Sequence, residues 1–171
     1  EVVGLNEGNT RHYEQDHGEA LYRRSLYSFW KRMSPPASLE ILNAPSREVS
    51  CLRRERTNTP MQALVTLNDP QFIEAARLLA QHALARPGND VEHLTMISRR
   101  VLVRALAEPE QQIVLATLRD LRTWYQQRPT EAKALIAVGE TAADPALDPG
   151  ELAAWTMVCN QLLNLDEALN K

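Results

Sequence analysis

The sequence lacks most of the motifs that identify an activity. It contains no glycine-rich phosphate-binding loop, no GxSxG motif and no CxxCH haem-attachment motif, and no HExxH or CxxC pattern that would predict a zinc site. It also has no run of about 18 apolar residues, so no segment is predicted to span a membrane. No catalytic residue and no metal ligand is therefore predicted, and we expect no cofactor in this chain.

Aromatic residues and cysteines are also scarce. Aromatic side chains make up only 5% of the 171 residues, so the core must consist mainly of Leu, Ala, Val and Ile. The two cysteines are Cys51 and Cys159. They would form one disulfide in an exported protein or remain two free thiols, and nothing in their spacing decides between these alternatives.

The net charge of −3 argues against a general nucleic-acid binder or a basic membrane-surface module. The charge is unevenly distributed along the chain. Residues 21–60 contain eight Lys or Arg against three Asp or Glu, whereas residues 1–20 contain one Arg against five acidic residues. The basic character is therefore local.

Helix-start signals begin at residue 59. Thr59 precedes Pro60, and Gln62 follows at the third helical position, which together predict a capping box. Asp69 before Pro70 and Asp148 before Pro149 predict two further N-caps. The four predicted capping residues are Thr59, Gln62, Asp69 and Asp148.

The pattern between these signals predicts a bundle. We expect helices over about 70–85, from a cap at Asp90 to about 105, from Pro109 to near Pro129, and from Thr130 to a left-handed C-cap at Gly139. The predicted inward faces are Phe72, Ala75, Ala76, Leu79 and Ala83; Leu94, Ile97, Val101 and Ala105; Val114, Leu118, Leu121 and Tyr125; and Leu152, Trp155, Cys159 and Leu162.

The N-terminal third has weaker signals. Residues 21–33 fit either a helix or an aromatic-rich strand, and the prolines at 35, 36 and 45 exclude a continuous helix after them. The predicted fold is mainly α: a bundle of about five to six helices with an extended, largely irregular N-terminal third. We expect one domain over 1–171, with an irregular, basic segment 1–58 before the bundle at 59–171.

An arginine cluster precedes the first helix start, and the candidate anion- or partner-binding residues are Arg47, Arg53, Arg54, Arg56 and Asn58. Two interpretations stay open. Helix N-termini attract phosphate, carboxylate or acidic glycans, so the cluster fits an anion site. Alternatively, the arginines hold the irregular connection together through Glu48, Glu55 and loop carbonyls.

Two blocks of the sequence resemble a known protein family. The runs "LYRRSLYSFWKR", "NAPSREV" and "RRERTNTPMQALVTLNDPQFIEAAR", with the closing "AAWTMVCNQLLNLDEALNK", span roughly residues 13–86 and 151–171. They resemble the planctomycete-specific C-terminal domain of unknown function found in large proteins that also carry a cytochrome-c-like domain. The resembled family tends to have aspartate where Asn43 stands and cysteine where Ser50 stands, with Cys51 one position late.

The resemblance implies a setting rather than an activity. It implies a periplasmic or otherwise extracytoplasmic multidomain protein, with c-type haem held only by a separate domain. The chain begins at Glu1, which suggests a fragment or a processed chain. We therefore expect a non-catalytic accessory domain that contacts other domains of the same polypeptide; the alternative is a module that binds acidic carbohydrate during polysaccharide processing.

Overall fold

The computed structural model describes residues 16–30 and 35–169, and in these residues it is helical without any β-strand. The prediction of a mainly α fold is confirmed. The described residues form two short 3₁₀ turns, Gly18–Tyr22 and Ser25–Tyr27, and eight α-helices. These are α1 (Ala37–Ile41), α2 (Pro60–Asn68), α3 (Pro70–Leu84), α4 (Asp90–Leu102), α5 (Glu108–Gln127), α6 (Pro129–Ile136), α7 (Pro149–Leu163) and α8 (Asp166–Leu169).

The chain divides into two compact units, Glu1–Val65 and Thr66–Lys171. Their boundary lies inside α2, whereas the sequence pattern placed the change of character between residues 58 and 59. We call the first the N-terminal unit and the second the helical unit. That the whole chain is a single domain stays a prediction.

The N-terminal unit is built from short elements. Over 21–30 the chain forms 3₁₀ turns rather than a continuous helix or strand, and the rest of the 21–33 segment lies outside the described residues. Helix α1, which the sequence analysis missed, starts directly after Pro35 and Pro36, and Pro36 is its N-cap residue. Among residues 16–30 and 35–65, the only buried side chain is Gln62.

The helical unit is organised around α7, which contacts α3, α4, α5 and α6. Nine of its fifteen residues are buried, including Trp155 and Cys159 on successive turns of one face. Helix α3 presents Ala76, Ala80 and Ala83, all fully buried. Their small side chains lie on one face at helical spacing and allow the backbones of α3 and α7 to approach closely.

Two residues of this unit that were predicted to face the core are exposed instead. Ala75 is exposed, and Ala105 is exposed because α4 ends at Leu102 and Val103 takes a left-handed conformation with φ 63°.

The cap of α4 also differs from the prediction. Asn89, not Asp90, accepts the Glu92 N–H at 3.0 Å, while Glu92 Oε2 accepts the Asn89 N–H at 3.0 Å. A capping box needs the side chain three residues before Glu92, and Asn89 occupies that place.

A buried ion pair on α3 was not predicted. Glu74 and Arg77 have side chains that are 1% and 0% exposed, with Nη2 and Oε1 3.6 Å apart. Glu74 accepts the N–H groups of Glu140 and Thr141 at 3.2 and 2.7 Å, and Arg77 Nη2 donates to the Thr141 carbonyl. The pair therefore holds the loop that follows α6.

Gly139 belongs to this loop rather than to the end of α6, which stops at Ile136. Its φ of 99° is a conformation that glycine adopts without strain. A Cβ at this position would lie 2.5 Å from the Glu74 carboxyl group. Glycine is thus required here because the buried carboxylate approaches the backbone closely.

Candidate functional site

The side chain of Gln62 joins three parts of the N-terminal unit. Its Oε1 accepts the Thr59 N–H at 3.0 Å, and the Gln62 N–H donates to Thr59 Oγ1 at 3.3 Å, which completes the capping box of α2. Its Nε2 also donates to the Ile41 carbonyl at 2.9 Å and to Thr57 Oγ1 at 2.8 Å. We call Gln62, Thr59, Thr57 and the Ile41 carbonyl the Gln62 cluster. It ties the end of α1 to the start of α2.

Asn43 and Arg54 extend this cluster. Asn43 Nδ2 donates to Thr57 Oγ1, and its backbone is left-handed with φ 57°, a conformation that asparagine tolerates better than most residues. Arg54 donates from Nε to the Asn43 carbonyl at 3.1 Å and from Nη2 to the Leu42 carbonyl at 2.8 Å. The planar guanidinium group thus binds two successive carbonyls just after α1.

Arg47 makes a different contact within the same unit. Its guanidinium carbon lies 4.8 Å from the centroid of the Trp30 ring, within the range of a cation–π interaction. The backbone of Arg47 is left-handed, with φ 64°. Arg47 therefore connects the 3₁₀-turn region to the chain that follows α1.

The remaining candidate residues are Arg53, Arg56 and Asn58, and their side chains are exposed. Val49 and Leu52, two large apolar side chains of the same stretch, are exposed as well. We refer to residues 47–58 as the basic segment. Arg47 and Arg54 thus contact other parts of the unit, and Arg53 is exposed next to Leu52 in the chain.

The two cysteines are both free thiols. Cys51 is exposed, and its Sγ lies 3.3 Å from the Arg53 carbonyl. Burial raises the pKa of the Cys159 thiol well above its ordinary value, so this thiol stays protonated and acts as a small apolar core residue.

Arg122 forms the centre of a polar cluster in the helical unit. Its guanidinium donates to both carboxylate oxygens of Asp90, at 2.6 and 2.7 Å, and to both oxygens of Glu151. Glu151 Oε1 also accepts from Trp155 Nε1 at 2.8 Å. The hydrogen bonds from Arg122 lower the pKa of Asp90 below its ordinary value. Each side chain of the cluster is hydrogen-bonded to another side chain of the cluster, so the cluster links α4, α5 and α7.

Arg104 plays a similar part on the surface. It pairs with Glu110 at 2.7 Å and with Glu167 at 2.9 Å, joining the loop after α4 to α5 and α8. Hydrogen bonds from Arg104, together with one from the Ala107 N–H, lower the pKa of Glu110 to about 2. These contacts hold helix ends together.

Neither a metal-binding group nor a membrane-spanning helix is found in the part of the chain that is described. Within those ranges, no three His, Cys, Asp or Glu side chains are grouped so that they could hold a metal ion. No described helix is both long and apolar enough to cross a membrane.

The predicted capping residues lie in both units. The predicted caps lie at helix starts: Asp69 Oδ1 accepts the Gln71 N–H at 2.8 Å and Asp148 Oδ1 accepts the Glu151 N–H at 2.9 Å. Sequence reasoning missed Asn43 and Thr57 as members of a network. The one signal for Asn43 was its residue type, because asparagine favours turns and left-handed backbone.

The regular structure of the described residues is thus entirely helical, and the candidate site is the basic segment on the surface of the N-terminal unit. A family model described as "PSD1: Protein of unknown function (DUF1553)" matches residues 4–118. This chain belongs to that family. The matched range contains nearly all of the N-terminal unit and ends within α5. No curated protein and no solved structure matches the chain.

Proposed function

We propose that this chain is a non-catalytic helical accessory domain that docks onto other domains of its own polypeptide through the basic segment. One observation carries this proposal: Leu52 is 102% exposed and lies next to Arg53, with Val49 and Arg56 exposed nearby in the chain. Exposed aliphatic groups among arginines are typical of surfaces that become buried in an interface.

The contacts within the unit support this proposal because they fix the backbone of the segment. Arg54 holds it to the carbonyls of Leu42 and Asn43, and the Gln62 cluster holds its C-terminal end. A segment that is already ordered loses less conformational entropy on binding. Exposed side chains on such a backbone are well suited to docking.

The wider setting that we propose rests on the resemblance to the planctomycete C-terminal domain. In that setting the parent protein is exported and extracytoplasmic, and a separate domain attaches c-type haem. A signal peptide and a CxxCH motif in the complete gene product would support this setting, and their absence would contradict it.

Docking can be tested in the complete gene product with a specific protease site inserted before residue 1. After cleavage, we expect the domain to co-elute with the rest of the polypeptide in gel filtration. The double variant Arg53→Glu/Arg56→Glu should release it, because it places carboxylates where the partner binds cations. The matched control is Arg99→Glu/Arg100→Glu, which reverses two exposed arginines on α4. Release of the unmodified domain would contradict the proposal.

The second candidate function is binding of an acidic carbohydrate, and the exposed guanidinium of Arg53 favours it. Calorimetric titration with sulfated and uronic glycans tests it. Binding should fall in Arg53→Ala and persist in Arg99→Ala. Equal binding by both variants, or none by the unmodified chain, would exclude this function.

A further inference from the structure

A second exposed set lies before the basic segment. The side chains of Tyr22, Leu26, Tyr27 and Phe29 are exposed, and Tyr27 and Phe29 are 65% and 53% exposed. We call residues 22–29 the aromatic segment. Aromatic side chains make up only 5% of the whole sequence, so three in eight residues is a local concentration. Exposed aromatic groups at this density mark a surface that is covered by a partner.

The basic residues around this set are nearly all arginine. Residues 21–60 of the sequence contain seven arginines, at 23, 24, 32, 47, 53, 54 and 56, and one lysine, Lys31. Tyrosine, phenylalanine and arginine are enriched in protein–protein interfaces, whereas lysine is depleted. Arginine also pairs with carboxylates through two parallel donors. The composition therefore favours an acidic protein surface over a lipid headgroup layer.

A cation–π contact joins the first residue of the basic segment to the residue that follows the aromatic segment. The Arg47 guanidinium stacks on Trp30, the residue next to Phe29, with 4.8 Å to the ring centroid. Arg47 holds this position with a left-handed backbone, which for a residue with a Cβ persists only where surrounding contacts favour it. The stack thus brings Trp30, the residue that follows the aromatic segment, to the start of the basic segment.

We propose that the aromatic segment and the basic segment form one bipartite docking surface whose occupant is an acidic face of the other domains of the same polypeptide. Tyr27 and Phe29 enter apolar depressions of that face, and Arg53 and Arg56 pair with its carboxylates. Charge complementarity supports this occupant, because residues 21–60 carry eight basic against three acidic residues. The inference rests on the proposed docking function and adds the second segment and the chemistry of the partner.

Hydroxyl-radical footprinting of the complete gene product tests the proposal in one sample. The radicals oxidise exposed side chains, so Tyr27, Phe29 and Leu52 report on the two segments. Trp124 is 49% exposed on α5 and serves as the internal reference. We expect Tyr27 and Phe29 to react at least about fivefold more slowly than their exposure relative to Trp124 implies, because interface cores are as closed to solvent as protein interiors.

The outcomes separate this inference from the proposed function. Protection of both segments supports the bipartite surface and the proposed docking function. Protection of Leu52 alone overturns the bipartite surface and leaves the proposed function standing. Protection of Tyr27 and Phe29 alone overturns docking through the basic segment. Equal reactivity of all three with the reference overturns both proposals and points to a lipid, a glycan or a separate protein as the occupant.

Two variants test the linkage and the partner chemistry. In the complete gene product, Arg47→Asn removes the guanidinium but tolerates the left-handed backbone, so it should raise the reactivity of Phe29 several-fold. Phe29→Ser should raise the reactivity of Leu52, whereas the matched control Ile113→Ser, at an exposed position on α5, should not. No change at Leu52 in Phe29→Ser would show that the two segments do not act together.

Discussion

The two units of this chain are stabilised by different kinds of contact. In the helical unit, α7 buries nine of its fifteen residues, and the polar groups inside, such as Glu74 and Arg77, are paired with each other. In the described part of the N-terminal unit, Gln62 is the only buried side chain, and hydrogen bonds to backbone carbonyls hold the short elements.

This difference bears on the proposed docking function. The helical unit has an apolar core of its own, so its fold needs no partner to bury apolar area. The described N-terminal unit places aromatic and aliphatic groups in solvent, and burying each of them in an interface would contribute roughly 1.5–3 kcal/mol. The unit with the weaker core is therefore the one suited to docking.

The largest expected effect is a loss of stability of the helical unit. Glu74→Ala should lower the free energy of unfolding by about 3–5 kcal/mol, because it leaves the buried Arg77 without its counter-charge. It also removes the acceptor of the Glu140 and Thr141 N–H groups. Urea unfolding followed by tryptophan fluorescence measures this loss.

The control for this variant is Asp120→Ala, which removes an exposed carboxylate from α5. Its unfolding free energy should change by no more than about 0.5 kcal/mol. If Glu74→Ala costs no more than the control, the buried ion pair does not stabilise the helical unit.

The next effect is confined to the N-terminal unit. Gln62→Ala should cost about 1–3 kcal/mol locally, because the Ile41 carbonyl and the Thr59 N–H lose their partner. Hydrogen exchange should accelerate at residues 41–59 and remain slow in α7. Gln62→Glu keeps the acceptor for Thr59 but loses both donated bonds, so its effect should be intermediate.

Gln71→Ala is the matched control for Gln62, since Gln71 is exposed on the first turn of α3. It should leave exchange at residues 41–59 unchanged. Faster exchange throughout α7 in Gln62→Ala would contradict the distinction between the two units.

The sequence predicted the helical unit well, because its helices start at strong local signals. A proline after Thr59, Asp69 and Asp148 determines where α2, α3 and α7 begin. The periodic apolar residues of α7 are buried as expected. The buried Glu74 and Arg77 could not be predicted, because charged residues are almost never fully buried. The backbone groups that they bind in the loop after α6 also lie more than sixty residues away in the chain.

The candidate site was only partly predictable. The composition of the sequence showed the arginine cluster. It did not show that Arg47 stacks on Trp30, that Arg54 donates to backbone carbonyls or that Arg53 is exposed, because these positions depend on the turn after α1. Neither α1 nor that turn has a periodic signal. The link between Gln62 and Ile41 is likewise a contact between distant residues, which local patterns do not encode.

A smaller effect distinguishes guanidinium geometry from charge. Arg54→Lys keeps the positive charge but cannot reproduce the two donations to Leu42 and Asn43, so it should cost about 0.5–1.5 kcal/mol locally. Faster amide exchange at residues 42–46 would report this loss. Arg53→Lys is the control, and it should change nothing in that range. Equal effects of the two variants would mean that only charge matters in the basic segment.

The smallest effect concerns Asn43, where the resembled family tends to have aspartate. Asn43→Asp should change stability by no more than about 0.5 kcal/mol, because aspartate also tolerates the left-handed backbone. The Thr57 hydroxyl can donate to the new carboxylate while still accepting from Gln62 Nε2. Asn43→Ala should cost about 1–2 kcal/mol, because it loses both the hydrogen bond and the residue type suited to this backbone. If hydrogen exchange at residues 41–59 shows alanine and aspartate to be equally tolerated, the turn after α1 is not what holds the basic segment in place.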